Sequence, residues 1–280
     1  MSEPLRIAPM THGDLEVALD WAAAEGWNPG LDDASAFHAV DPAGFLMGWL
    51  GEAPIAAISV VRHGPGFGFL GFYLCREAFR GQGHGLALWR AGMDRLDGLC
   101  VGLDGVVAQQ DNYRRSGFVF VHETRRHEGV VRARAHAGIE AATPADLRAL
   151  AALDTEIQGV ARAAYASAWF GQSPHRQTLV KRAAGAIVAA ATIRTCRNGH
   201  KIGPLIAPDA EHAEALIESL AAHTGATRIA LDVPEPNRAG VALAEQLDLV
   251  SAFACARMYR GTPPERALER IFGETTFELG

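Results

Sequence analysis

The sequence predicts an α+β protein in which one structural unit occurs twice. Three observations lead there. The first 125 residues or so read as β-α-α-β-β-β-α-β-α-β. The middle of that run holds a strand, a glycine-rich loop and a helix in direct succession. Landmarks of the run then return at nearly constant spacing in the second half, the mark of a duplicated unit. A chain of 280 residues, 49% of them apolar, is long enough for two ordinary domains with buried cores.

Each element has its own warrant. LRIAP (5–9) reads as a short strand, and THGDLEVALDWAAAEGW (11–27) as a helix with Thr11 at its N-cap and acids early. NPG (28–30) breaks it, and DDASAFHAV (32–40) forms a shorter helix. GFLMGWL (44–50) and PIAAISVVRH (54–63) are strands around a turn at Gly51, and GFGFLGFYLC (66–75) is a third, aromatic and glycine-rich. A helix follows the glycine loop to about Leu96. LCVGLD (99–104) is a buried strand, AQQDNYRRSG (108–117) a helix ended by Gly117, and FVFVHETRRH (118–127) a strand with alternating faces.

The repeat is visible residue by residue. Thr11, Asp14 and Leu15 match Thr143, Asp146 and Leu147 at a spacing of 132, and the same spacing sets Gly71 on Gly203. Leu103–Asp104 match Leu231–Asp232 at 128, and RRHEG (125–129) matches RMYRG (257–261) at 132. The seam lies near EGVVRARAHAG (128–138), which divides the chain into residues 1–129 and 130–280. Arg125, Arg126, Arg132 and Arg134 at this seam read most simply as a solvated strand end and linker; an anion or RNA contact is the other reading.

Charge and cysteines narrow the class. A formal net charge of −6 gives no electrostatic grip on nucleic acid or on an anionic membrane. Cys75, Cys100, Cys196 and Cys255 are far apart, with no CxxC pair and no metal spacing, so reduced thiols of a cytoplasmic protein without a metal site are expected. The N-terminal MSEPLRIAPM has no basic start or long apolar run, so neither a signal peptide nor a membrane span is expected.

The chemistry concentrates in REAFRGQGHGLALW (76–89). Glycine costs a helix about 1 kcal/mol per residue relative to alanine, yet Gly81, Gly83 and Gly85 stand together where a helix begins. A helix start offers unpaired N–H groups and partial positive charge, and glycine lets a phosphate approach the backbone. Walker A would need Lys-Ser/Thr where His84-Gly85-Leu86 stands, and the Rossmann pattern would need its last glycine one position later.

The pattern Q/R-x-x-G-x-G/A does fit, with Arg80 first and Gly83 and Gly85 after it. Together with the element order and Tyr113-x-x-x-Gly117-Phe118, residues 5–127 resemble the GNAT N-acetyltransferases. The resemblance implies two GNAT-like domains, each a mixed central sheet with helices on both faces. It implies acetyl-CoA as co-substrate, its diphosphate on the amides of Gly81, Gln82, Gly83, His84 and Gly85, with Arg80 adding charge. It further implies a gap between two central strands for the pantetheine arm, with a backbone N–H near Leu74 or Cys75 polarising the thioester carbonyl. Tyr113 would protonate the departing thiolate. Asn, frequent in the family seven residues before this tyrosine, is Val106 here.

The acceptor side is less defined. GFGFLGFYLC carries no carboxylate to serve as base. Glu25, Asp32, Asp33 and Glu123 are candidates; Trp27 and Asn28 could shape the pocket, with Asp32 or Asp33 either meeting a cation or capping a helix. The acceptor could be a small molecule, a peptide N-terminus or a lysine side chain, and a homo-oligomer is compatible. The second half lacks the glycine triad: Pro208, Asp209 and Glu211 stand where the diphosphate would lie, and no Tyr-x-x-x-Gly follows. A degenerate second copy is expected. The sequence thus supports transfer of an acetyl or short acyl group from CoA to a primary amine by direct attack. The rival class is a non-catalytic acyl-CoA-binding or regulatory module.

Overall fold

The repeated Thr-x-x-Asp landmarks are repeated capping boxes. In a computed structural model that describes residues 4–280, Thr11 Oγ1 accepts the Asp14 N–H at 3.2 Å and the Asp14 carboxylate accepts the Thr11 N–H at 2.9 Å. Thr143 and Asp146 make the same reciprocal pair. The first three residues of MSEPLRIAPM lie outside the described residues.

The first half contributes β1 (Leu5–Pro9), α1 (His12–Ala24), α2 (Asp33–Val40), β2 (Phe45–Leu50), β3 (Ala53–His63) and β4 (Phe67–Cys75). Then come α3 (His84–Arg95), β5 (Cys100–Val106), α4 (Gln110–Arg115) and β6 (Val119–Val130). The second half repeats the order with β7 (Ile139–Ala141), α5 (Leu147–Gln158), α6 (Ala163–Phe170), β8 (Arg176–Ala183), β9 (Ala186–Thr195) and β10 (His200–Ile206). It continues through α7 (Ala210–Thr224), β11 (Arg228–Pro234), α8 (Arg238–Gln246) and β12 (Val250–Arg260), and ends with a short β13 (Ile271–Gly273).

The sheet does not stop at the seam. Among the described residues, thirteen strands form one sheet in the order β1-β2-β3-β4-β5-β12-β6-β11-β10-β9-β8-β7, with β13 beside β10. The halves exchange their last long strands. β12 pairs with β5, from Cys255 opposite Val106 to Arg260 opposite Val101, while β6 pairs with β11, from Arg228 opposite Val130 to Pro234 opposite Thr124. β6 and β12 lie side by side on the pseudo-two-fold axis. The expected cut at 129/130 falls near the end of β6, and the sheet runs across it.

This exchange corrects the reading of the seam as a solvated strand end. Arg126 is buried and makes two hydrogen bonds, of 2.7 and 2.8 Å, to the Asp232 carboxylate of β11. Arg125 pairs with Glu123 and Glu235; Arg132 and Arg134 are exposed, as expected. Arg257 of β12 binds Asp104 of β5 with two bonds of 2.7 Å. The Leu-Asp repeat at 103–104 and 231–232 is therefore the acidic side of two equivalent buried ion pairs, one on each exchanged strand.

The segment 271–280 ties the halves together, and every one of its residues is buried. β13 pairs with the end of β10, and the chain then crosses to β3 and β4. There Ser59 Oγ donates to the Glu278 carbonyl at 3.0 Å and a ring nitrogen of His63 donates to the Leu279 carbonyl at 2.9 Å. A Cβ on Gly71 would sit 2.3 Å from the Glu278 carbonyl oxygen, and one on Gly203 would sit 2.2 Å from that of Glu274. The repeated glycines mark where this segment crosses each half.

His63 makes that crossing acid-sensitive. Burial, then the nearby Arg162, lower its pKa to about 3, against 6.5 for an exposed histidine. The unfolded chain binds the proton first, so the stability contributed is complete above pH 6.5 and is lost as pH falls towards 3. The expected slope is about 1.4 kcal/mol per pH unit between pH 6 and 4 from this group. Urea midpoints measured across that range in wild type and His63→Asn should show a shallower pH dependence in the variant. Equal slopes would remove His63 as the cause.

Candidate active site

β4 and β5 run parallel only from Phe67 opposite Cys100 to Leu70 opposite Leu103. Beyond that they separate. A bulge drives the separation: against β3, Gly71 faces Ser59 and Leu74 faces Ala57, so Phe72 and Tyr73 share one partner position. Phe72 takes φ of +51°, a left-handed conformation costly for an aromatic residue. The bulge places the irregular backbone at Phe72–Tyr73, just upstream of the expected Leu74 and Cys75, which stand in register with Ala57 and Ala56.

The three glycines of the loop answer to two constraints. Gly81 and Gly83 have φ of +75° and +86°, with nothing within 4 Å of an added Cβ. Backbone conformation alone requires glycine there. Gly85 has no such φ; a Cβ on it would meet the Tyr73 hydroxyl at 2.6 Å. Gly83 is the N-cap of α3 and has no side chain to cap with; the first helical bond runs from Ala87 N to Gly83 O. The amides of His84, Gly85 and Leu86 therefore have no helical partner. No acid stands in that first turn. Arg80 donates to the Cys75 carbonyl at 2.8 Å and pairs with Glu25, so it pins the loop to β4 and shares its charge. Gln82 folds back onto the Ala78 carbonyl, and His84 is half-buried.

A groove of about 1040 Å³ runs from this loop between α3 and α4, with Leu74, Cys75, Arg80, Arg90 and Arg115 on its walls. At its inner end it meets a second cavity of about 360 Å³ in the gap between β4 and β5. Tyr73, Trp89, Val106 and Tyr113 line both. Tyr113 stacks on Trp89 at 5.8 Å between ring centroids. It lies over Gly105, where a Cβ would fall 2.1 Å from the ring. Burial, then Cys255 and Tyr73, push the Tyr113 phenol up to about 12, and Tyr73 is raised to the same level, so both stay protonated. Burial raises the Cys75 thiol pKa and its sulfur faces the Arg76 carbonyl, which disfavours the thiolate.

The acceptor candidates separate. Trp27 lines the inner cavity, edge-on to Phe72. Asn28 does not; it exchanges hydrogen bonds with Asn198, between β9 and β10. Asp32 accepts from the Ser173 hydroxyl and the His175 N–H, and Asp33 from the Gly30 N–H and Arg194. Both acids fasten the halves together and are absent from the cavity wall. Glu123 is held by Arg125. In their place the cavity takes walls from the second half: Ala252, Phe253 and Cys255 of β12, and Phe277 and Glu278 of the terminal segment. Only the strand exchange and the crossing segment bring these residues there.

The equivalent gap in the second half is filled. β10 and β11 pair only over His200–Ile202, and past that point β13 lies against Leu205 and Ile206 while Glu274 N donates to the Asp232 carbonyl. The Trp169 indole donates to the Gly203 carbonyl, and the Tyr165–Trp169–Phe170 cluster is core. Asp209 caps α7 with its own side chain, accepting the His212 N–H at 2.9 Å. Among the described residues no acid–histidine–cysteine cluster could hold a metal, and no helix is long and apolar enough to cross a membrane.

Comparison with known proteins bears on both halves. Residues 14–118 match the acetyltransferase (GNAT) family and residues 150–273 match an acetyltransferase (GNAT) domain. The chain is 30% identical over 275 residues to a holothin acyltransferase of Pseudoalteromonas sp. (strain SANK 73390), covering 97% of this chain and 93% of the relative. A putative acetyltransferase from Pyrococcus horikoshii has the same fold with a TM-score of 0.83 at 19% identity, covering 99% of this chain and 96% of that one. A tandem GNAT protein from the clavulanic acid biosynthesis pathway superposes with a TM-score of 0.62 at 14% identity, covering 91% and 98%. The splayed strands, the uncapped helix start and these matches lead to one statement: the chain belongs to the GNAT acetyltransferase family, as an acyltransferase with two GNAT domains in tandem.

Proposed function

We propose that the protein moves an acetyl or short acyl group from CoA to the primary amine of a small molecule, by direct attack in a ternary complex. The observation that carries this is the meeting of the two cavities at Tyr73 and Tyr113. The outer groove is lined by Arg80 and by Leu86 in the first turn of α3, beside helix-start amides suited to a diphosphate. The inner cavity is walled by both halves, which suits a small acceptor better than a lysine on a folded protein. The Pseudoalteromonas relative is named a holothin acyltransferase, which agrees with acyl transfer. In this reading the amine nitrogen attacks the thioester carbonyl where β4 and β5 diverge, the backbone at the bulge polarises that carbonyl, and Tyr113 protonates the sulfur.

Calorimetric titration with acetyl-CoA tests the binding half of the proposal. One site per chain is expected, because the gap in the second half is occupied by β13 and the Trp169 indole. Gly83→Val forces a β-branched residue to φ of +86°. At a cost of roughly 1–2 kcal/mol, that weakens acetyl-CoA by about five- to thirtyfold with the fold retained. Two sites would show that the second domain binds CoA. No binding at millimolar acetyl-CoA would sink the proposal. Binding without turnover of any amine would favour a non-catalytic acyl-CoA module.

A further inference from the structure

One acid on the wall of the inner cavity has no direct partner. Of the carboxylates on its wall, Glu25 is paired with Arg80, Asp104 is held twice by Arg257, and Glu128 lies 3.8 Å from Arg228. Glu278 is 9% exposed, and among the described residues its carboxylate has neither an ion pair nor a hydrogen bond. The charged groups that reach it are Arg126, Arg194 and Lys201. Arg126 is paired with Asp232 and Arg194 with Asp33, while Lys201 Nζ donates to the neutral Trp27 carbonyl at 2.8 Å, so all three cations direct their N–H groups elsewhere. A carboxylate that accepts from no protein donor leaves its oxygens open to the N–H groups of a cationic ligand.

Its placement is fixed on both sides. The Glu278 carbonyl is held by Ser59, Leu279 N donates to Thr276 Oγ1 at 3.0 Å, and Thr276 Oγ1 meets the Tyr165 hydroxyl at 3.1 Å. Gly71 leaves room for this crossing. The remaining walls are largely aromatic, with Trp27, Phe72, Phe253 and Phe277 around a volume of about 360 Å³. Flat apolar bodies pack against such walls, and one carboxylate among them sets orientation.

We propose that the acceptor is a primary amine carried on a flat aromatic body, and that Glu278 binds its ammonium group and takes its proton. This rests on the acyl-transfer reading above. The step balances as follows. One ammonium proton passes to the Glu278 carboxylate. The freed lone pair attacks the thioester carbonyl carbon; the C–N bond forms and the C–S bond breaks. The sulfur leaves with the Tyr113 proton, and the second nitrogen proton returns to Tyr113, leaving the amide N–H.

Benzylamine is the probe, with acetyl-CoA as donor and the full chain as enzyme; thiol release gives kcat and KM, and calorimetry gives acetyl-CoA affinity. Glu278→Gln keeps shape and removes charge. It should lower kcat/KM for benzylamine by about 100-fold or more while acetyl-CoA affinity stays within about threefold, and Glu278→Asp should recover part of the loss. Unchanged turnover in Glu278→Gln overturns the proposal. Equal loss of acetyl-CoA affinity and of melting temperature also overturns it, by showing a structural role. A wild-type enzyme that acetylates a glycyl peptide but not benzylamine overturns the acceptor class. Failure of wild type to bind acetyl-CoA is a separate result and strikes the acyl-transfer reading itself.

Discussion

Replacing Tyr113 with phenylalanine is expected to lower kcat by about 10²–10⁴-fold with little change in acetyl-CoA affinity or stability. The ring carries the packing: it stacks on Trp89 and covers Gly105, and phenylalanine keeps both contacts. Among the described residues the hydroxyl has no hydrogen-bond partner, so its removal leaves no buried group unsatisfied. What is lost is the proton. A phenol raised to about 12 is fully protonated at neutral pH, and a thiolate leaving into a buried site gains most from a proton delivered as the C–S bond breaks.

Tyr73 is the control, because it lines the same junction and is raised to the same level. Tyr73→Phe should stay within about tenfold of wild type, since general-acid catalysis is worth more than that. Steady-state kinetics on the two variants decide between them. A large loss in Tyr73→Phe together with near-normal Tyr113→Phe would transfer the role of acid to Tyr73.

The loop and the tyrosine were legible because their constraints are local. A left-handed residue at a helix start needs glycine whatever surrounds it, and Tyr113 precedes Gly117 by one turn of a short helix. The capping boxes span four residues and appear in the sequence twice. Gly105, which makes room for Tyr113, carries no such signal, since its reason lies eight residues away across a strand–helix join. Of the inner cavity wall, Glu25 and Trp27 were legible and the residues from the second half were not. Glu278 meets Ser59 across 219 positions and Leu279 meets His63 across 216, in a segment with no regular apolar period. Asp32 and Asp33 misled for a related reason: an acid at a helix start reads as a cap or a site, while here its partners are Ser173, His175 and Arg194 of the other half.

The exchanged strands were illegible for a physical reason that also makes them testable. An alternating strand such as β6 satisfies either neighbouring sheet, and its period does not say which. The choice is written in Arg257 and Asp104. Arg257→Met should destabilise the protein by about 3–5 kcal/mol, because it strands the Asp104 and Glu274 carboxylates, both with fully buried side chains, without that guanidinium. Arg266 remains on Glu274, so the larger part of the loss belongs to Asp104. Adding Asp104→Asn to Arg257→Met should return part of that energy, since a neutral amide costs less to bury than a lone charge. The unfolding curve carries a second expectation. Arg257 belongs by chain to the second half and by pairing to the first, so its loss should move a single urea transition rather than split it. Two separated transitions, one unmoved by Arg257→Met, would mean that the halves fold independently and that the shared strands do not couple them.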